Sequence, residues 1–556
     1  MHFEKRIDNL EKVRVYGDKW ARGGILGKYE STERIDSFLA WSLDTAGPWV
    51  LIDPLEKVII TSPGWPGGYI DFETLMASTD IQPVLSRRSE QGKKLLHGPA
   101  TRRYLSPANP NGTYSFPLQS PFHNIKILGG GCLVQYDKGV VSSYLSRARS
   151  FVGDDSPSFE GAMLETASRC TEPVTLMFSG GKDSLAIYLA LEEASSEDLS
   201  AVYVKQDGLV SGGKFSQARH IASEYGISLT LVEPDGGWAF GDSSTWDRLH
   251  DLLTTTLANP VAPHHAVSQG PKNVLVDGQN MDAMLSMDMP KPPQSYPSLK
   301  NLMWWARHIM SYLPRSIRYT DLFFRSKIFR RAVRLAEKSA KLALCARGKG
   351  TPPLRDTSFR GILKSLMSKE LPGSAKSAPK AYAEAKKIEK IIQDENVREI
   401  WFHLYPKMAS LFGNAGRPVY HFVNQGPMYN MWENKIDIRD TIEPKKSLKK
   451  FVEKKGLKKY SKAMDNLNSS CMTSSSTPNL RVINRYKRMF DVNKSSVVEL
   501  ADPNLKRWII KELPKMKSAV FSLVKKSNRG EPVDNLLISR AFRYINLELI
   551  TRESGA

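Results

Sequence analysis

Cysteine is scarce in this chain, acid is outnumbered, and no long apolar run occurs. The four cysteines among 556 residues, Cys132, Cys170, Cys345 and Cys471, form no Cys-x-x-Cys pair. That scatter argues against a zinc site and a disulfide framework, and it fits a reducing compartment. No stretch approaches the about 18 apolar residues of a membrane span. The opening Met-His-Phe-Glu-Lys-Arg-Ile-Asp carries charge where a signal peptide needs its apolar core. The expected location is cytoplasmic. A Walker loop, Gly-x-x-x-x-Gly-Lys-[Ser/Thr], is also missing.

The acid shortage is quantitative: 58 Asp and Glu face 79 Lys and Arg, a net charge of +21. Residues 301–350 carry twelve Lys and Arg against Asp321 and Glu337, and residues 445–462 carry nine lysines against Glu453. Such patches fit nucleic acid, an acidic membrane surface or an anionic substrate, and equally a solvated helix face. Both readings stay open. Trp304-Trp305 and Tyr319, Phe323 and Phe324 lie among these arginines and read as the core side of a basic helix rather than base-stacking groups.

The most specific feature present is Ser179-Gly180-Gly181-Lys182-Asp183-Ser184. It follows Val174-Thr175-Leu176-Met177-Phe178, a short apolar run that predicts a buried parallel strand, and precedes Leu185–Leu191, which predicts a packed helix. Two glycines between strand and helix permit a tight turn with amide N–H groups directed into one concavity. The helix N-terminus adds positive partial charge, so the segment suits a phosphate. Ser179 and Ser184 offer hydroxyls, and Asp183 is placed to hold magnesium.

Around this loop the chain divides. A length of 556 residues exceeds one core. Residues 1–150 read as β-rich, with strands at Trp49–Asp53 and Lys57–Ser62, and a strand, turn and strand over Asn124–Asp137. Residues 151–290 alternate strand and helix as a doubly wound α/β sheet requires, with further strands at Ala201–Val204, Ser228–Val232 and Asn273–Asp277 and a helix at Phe215–Tyr225. Beyond residue 300 the pattern is helical, with a helix at Tyr382–Leu404, a basic insertion at about 301–380 and a break at Ser469–Pro478. The expected domains are 1–150, 151–470 and a helical extension 471–556.

In open α/β sheets ligands gather beyond the carboxyl ends of the strands. Gly278 and Asp282 follow the strand at Asn273–Asp277, and Asp282 is expected to join Asp183 on magnesium. Val204 ends another strand and is read either as lining an adenine or as a plain core valine. His264-His265 reads as packing or pocket lining rather than a metal pair, because adjacent side chains point apart.

Residues 179–184 resemble the Ser-Gly-Gly-x-Asp-Ser loop of the ATP pyrophosphatase superfamily, whose members split ATP between the α and β phosphates. The order of parts is similar to the asparagine synthetases, β-lactam synthetases and lasso-peptide cyclases. Asp277–Ala283 resembles that group's Ser-Gly-Glu-Gly-x-Asp-Glu segment, keeping Gly278 and Asp282 while Gln279 and Ala283 replace its glutamates. Leu257-Ala258-Asn259-Pro260 matches the Asp-x-Pro region only at proline, and Gly416–Tyr420 resembles Arg-x-Pro-Phe. Lys445-Lys446-Ser447-Leu448-Lys449 resembles Lys-x-x-Leu-Arg, which makes Lys445, then Lys446, the candidate for neutralising a departing pyrophosphate. Asn124–Tyr144 and Trp49–Ser62 resemble parts of the group's glutaminase domain. His2 stands where the active glutaminase has its cysteine, so a degenerate domain without glutamine hydrolysis is expected.

The resemblance spans about residues 40–460 and implies a ligase using ATP and Mg2+. A substrate carboxylate would be adenylated with release of pyrophosphate, then joined to ammonia or another amine as an amide. One alternative is a tRNA- or nucleobase-modifying enzyme with a similar loop, which the charge of +21 suits. Another is a nucleotide-binding protein with a decayed site.

Overall fold

The computed structural model describes residues 3–17, 19–65, 67–105, 120–144, 158–170, 173–194, 199–204, 211–232, 250–257 except 252, 274–278, 419–435, 446–455, 482–528 and 535–554, with Ala148, Asp247 and Met281 besides. It is a mixed α/β structure with two antiparallel sheets, one parallel sheet and packed helices. The predicted basic insertion, the Tyr382–Leu404 helix, the break at Ser469–Pro478, His2, His264-His265 and Trp304-Trp305 lie outside the described residues.

The antiparallel part is built on period-two alternation. Strands β1 (Glu4–Arg6), β6 (Met76–Ser78), β5 (Gly68–Asp71) and β7 (Ile125–Leu128) form one sheet in that order. Strands β2 (Arg14–Gly17), β3 (Trp49–Asp53), β4 (Val58–Thr61), β8 (Cys132–Gln135) and β9 (Val140–Ser143) form the other. Successive side chains face opposite sides of a strand. Val50, Ile52, Ile59 and Val134 therefore meet Ile70, Ala77 and Leu128 in a core between the sheets. Trp49, Leu51, Val58 and Ile60 face the other way, into the core that also holds the parallel sheet. The outer faces of Tyr69, Met76 and Ile127 join a third core.

The expected strand, turn and strand over Asn124–Asp137 is present, but its two strands enter different sheets: β7 pairs with β5, and β8 with β4 and β9. The three glycines between them make that crossing possible, with Gly131 at φ +67°. Thr61 Oγ1 pins it, donating to Gly129 O at 2.7 Å and accepting from Cys132 N at 2.8 Å.

The parallel sheet runs β12 (Leu229–Val232), β11 (Leu199–Val204), β10 (Val174–Met177), β13 (Val274–Asp277), β14 (Val419–His421). Order reverses between β10 and β13, so the sheet has its topological switch point beside the loop at 178–181. Helices α5 (Phe159–Ser168) and α6 (Lys182–Glu193) flank β10 in sequence, and α7 (Ser211–Glu224) follows β11. Every residue of α6 from Ser184 to Leu191 is buried, as expected of a helix covered on all sides. Its Leu185, Ile187, Leu189 and Leu191 each contribute about 1.5–3 kcal/mol of burial.

Helices α1 (Lys19–Glu30), α2 (Ile35–Ser42), α3 (Ile81–Glu90) and α4 (Gly98–Tyr104) belong to the N-terminal part. Helices α10 (Ser496–Glu499), α11 (Pro503–Asn528) and α12 (Asn535–Glu553) return to it rather than standing apart. Leu505, Ile509, Phe542, Ile545 and Leu549 share one core with Ile81, Leu85 and Tyr104. Tyr104 Oη donates to Asn546 Oδ1, and Gln82 Nε2 donates to the carbonyls of Thr254 and Ile550. Among the described residues no helix is long and apolar enough to cross a membrane.

Candidate functional site

The loop begins where β10 ends at the centre of the parallel sheet. Phe178 N donates to Val202 O at 2.8 Å, which carries the sheet one residue past the strand. Gly180 then adopts φ +70°. A Cβ there would lie 2.8 Å from both Cα and Cβ of Ala218 on α7. Left-handed backbone and close helix contact both demand glycine at this one position.

Gly181 is the N-cap residue of α6 and supplies no side-chain cap. Serine hydroxyls hold the loop from inside. Ser184 Oγ accepts from Ser179 N at 3.2 Å and donates to Gly181 O at 3.1 Å. Ser179 Oγ accepts from Gly181 N at 3.3 Å and lies 3.2 Å from Ser184 Oγ. Both serines thus shape the turn, while Lys182 and Ser184 are buried at the helix start. The result is a hydrogen-bonded glycine turn at a helix N-terminus, a chemistry that suits an anion such as phosphate.

The far side of the switch point comes from β13. A Cβ on Gly278 would approach Ile187 Cδ1 to 2.9 Å and Asp183 Cβ to 3.8 Å, so the backbone leaving β13 touches the first turns of α6. Two positions predicted for the nucleotide, Asp183 and Gly278, are thereby brought together. Met281 N donates to Gly278 O, turning the chain at once. Asp282 follows, outside the described residues. Val204 ends β11 on the same edge of the sheet, paired with Val232. Asp183 is a chemically suitable magnesium ligand, a carboxylate beside the turn; no group of three or more metal-binding side chains occurs among the described residues.

One pair escaped the sequence reading. Asp277 and His421 are register partners at the carboxyl ends of β13 and β14. His421 Nδ1 lies 3.0 Å from Asp277 Oδ1, and both side chains are buried. A carboxylate only accepts, so Nδ1 is the donor in this contact. The available signal was an Asp and a His each closing a short apolar run, but 144 positions separate them.

The segment after His421 is anchored to the antiparallel part. Gln425 Nε2 donates to His421 O at 3.0 Å, and Gln425 Oε1 accepts from Gly47 N at 2.7 Å. Helix α8 (Gly426–Lys435) then packs on α5, and Asn430 Nδ2 donates to Asp44 Oδ1 at 3.2 Å. Burial raises the pKa of Asp44, with Glu165 adding to it. Burial likewise raises the hydroxyls of Tyr188 and Tyr203, so both stay neutral near the sheet.

Of the two lysines proposed for charge neutralisation, Lys445 lies outside the described residues. Lys446 opens helix α9 (Lys446–Lys454), which packs on α6 through Leu448, Phe451 and Val452 and is held by the Lys454–Glu160 and Lys455–Glu193 ion pairs. Leu257 sits in the core shared with the C-terminal helices, and residues 258–260 lie outside the described set. No protein-family model matches the chain, and no curated protein matches it.

Proposed function

We propose that this chain is an ATP-dependent ligase that activates a carboxylate by adenylation and joins it to an amine. The observation that carries the reading is the loop at 179–184, with Gly180 at φ +70° between a central parallel strand and an uncapped helix N-terminus. In the reaction, a carboxylate oxygen attacks the α-phosphorus of ATP and the bond to the β-phosphate oxygen breaks, releasing pyrophosphate. The amine nitrogen then attacks the acyl carbon, AMP leaves, and the amine gives up a proton. Residues 179–181 cradle phosphate, and Asp183, with Asp282, holds Mg2+, which offsets the charge of the leaving pyrophosphate. Lys445 or Lys446 adds a further positive charge there. Holding amine and acyl group side by side supplies much of the rate. The N-terminal part is a glutaminase-like domain whose catalytic cysteine is replaced by His2, so the amine is ammonia or a larger amine bound directly.

The test is pyrophosphate release from ATP, stimulated by a small-molecule extract and, separately, by total RNA. Stimulation by the extract is expected, and Asp183→Ala is expected to abolish it with unchanged circular dichroism. The charge of +21 favours one second reading, adenylation of an RNA base, which stimulation by RNA alone would establish in place of the ligase.

A further inference from the structure

Beyond the parallel sheet, one cavity of about 450 Å3 is bordered by Arg485, Arg488, Lys494 and Arg552, with Tyr486 and Met489 beneath. Its walls come from the turn Lys487–Met489, the turn Val492–Lys494 and the C-terminal end of α12. Four cations and no carboxylate line it.

Each nearby acid has a partner, and one of them, Glu548, holds Arg552 of the wall. Asp491 caps its own turn by accepting from Asn493 N at 3.1 Å. Glu548 is fully buried and accepts from Ser495 Oγ, Ser496 N, Val497 N and Arg552 Nε. Glu553 faces His250 at 3.7 Å, and His250 Nδ1 lies 3.2 Å from the Tyr486 hydroxyl.

These contacts make the cavity rigid as well as basic. Arg552 is fixed twice, by Nε on Glu548 and by Nη2 on Lys494 O at 2.7 Å, which leaves its Nη1 edge for a ligand. The Tyr486 ring is held by stacking on His250 at 6.3 Å. A guanidinium already held in place loses little entropy on meeting phosphate, and it meets it through two N–H groups. The volume is that of a small-ligand site, and all four cations border it.

We propose that this cavity binds a compact oligophosphate anion, either free or as the polyphosphate of a nucleotide. The probe is inorganic tripolyphosphate, titrated calorimetrically into the full chain in about 0.15 M salt without magnesium. Binding is expected, and Arg488→Ala with Lys494→Ala should weaken it by about tenfold or more at unchanged melting temperature. Arg488→Lys, which keeps the charge but not the fork, should weaken it less. ATP binding more tightly than tripolyphosphate, by an increment lost in the double variant, identifies a nucleotide; equal affinities identify the phosphates alone. The proposal is overturned if the wild-type chain does not bind tripolyphosphate at about 1 mM, or if the double variant binds it equally well. Binding of a single-stranded RNA without binding of tripolyphosphate overturns it too.

Discussion

His421 Nδ1 lies 3.0 Å from Asp277 Oδ1, across the carboxyl ends of two neighbouring parallel strands. The next residue, Gly278, touches the first turns of the helix that carries Asp183. The pair is therefore one residue away from the backbone that contacts the loop-bearing helix. Replacing His421 by Phe takes the imidazole from a buried carboxylate, at a cost of about 1–3 kcal/mol. Urea denaturation should show the lower midpoint, and ATP affinity should fall with it. An unchanged midpoint would mean the hydrogen bond contributes nothing.

Gly180→Ala combines two penalties, a left-handed backbone and a Cβ driven against Ala218. The first costs about 1–2 kcal/mol, and the second adds to it. Gly92, at φ +65° with open space around it, offers the control: Gly92→Ala carries only the backbone penalty. Melting temperatures of the two variants, with ATP titrations, separate the terms. Equal losses would remove the helix contact from the account.

Arg88 is buried with four ties, to Asp71 Oδ2 at 2.8 Å, Glu73 Oε2 at 2.7 Å, Lys94 O at 2.6 Å and His123 Nδ1 at 3.3 Å. Arg88→Met leaves the Asp71 carboxylate buried without its cation, a loss of about 3–5 kcal/mol. Equilibrium unfolding measures it, and a loss under about 1 kcal/mol would contradict the assignment.

Glu73 gives the same cluster a pH signature. Hydrogen bonds from Arg88 and then Asn124 pull its carboxyl down to about 2. The folded value lies below the unfolded value of about 4.3, so the contribution is present above that pH and is lost as pH falls toward about 2. Glu73→Gln should flatten this limb of the melting temperature against pH. A variant that tracks the wild type through the whole limb speaks against the interaction.

Gly426 marks the contact between the antiparallel and parallel parts, because a Cβ there would collide with the carbonyls of Leu43 and Thr45. Gly426→Ala should loosen that seam, giving faster limited proteolysis between residues 43 and 49 and a broadened thermal transition. Wild-type digestion kinetics would place the seam elsewhere.

The loop was legible because six consecutive residues specify it, and the strands at 174–178, 201–204, 228–232 and 273–277 because each is a short apolar run bounded by turn residues. The Asp277–His421 pair was not legible, since β14 has three residues and its pairing is decided by sheet order rather than local pattern. The same holds for the last helices. Amphipathic spacing says that α11 has an apolar face, but not that Leu505 and Ile509 seek Ile81 and Leu85. Leu128 and Cys132 likewise look like one hairpin until Thr61 draws the chain between sheets.

Tyr104 and Asn546 are hydrogen-bonded across 442 positions of chain. At ~5–20 residues per second, a ribosome needs roughly 20–90 s to travel between them. Throughout that interval α3 covers the sheet through Ile81, Val84 and Leu85, but the far sides of α3 and α4 lack the helices that cover them. The nascent protein thus waits with that apolar surface open, and messages cut short before α12 yield chains in which α3 and α4 keep it exposed. Completion of this core is deferred until α12 has been made.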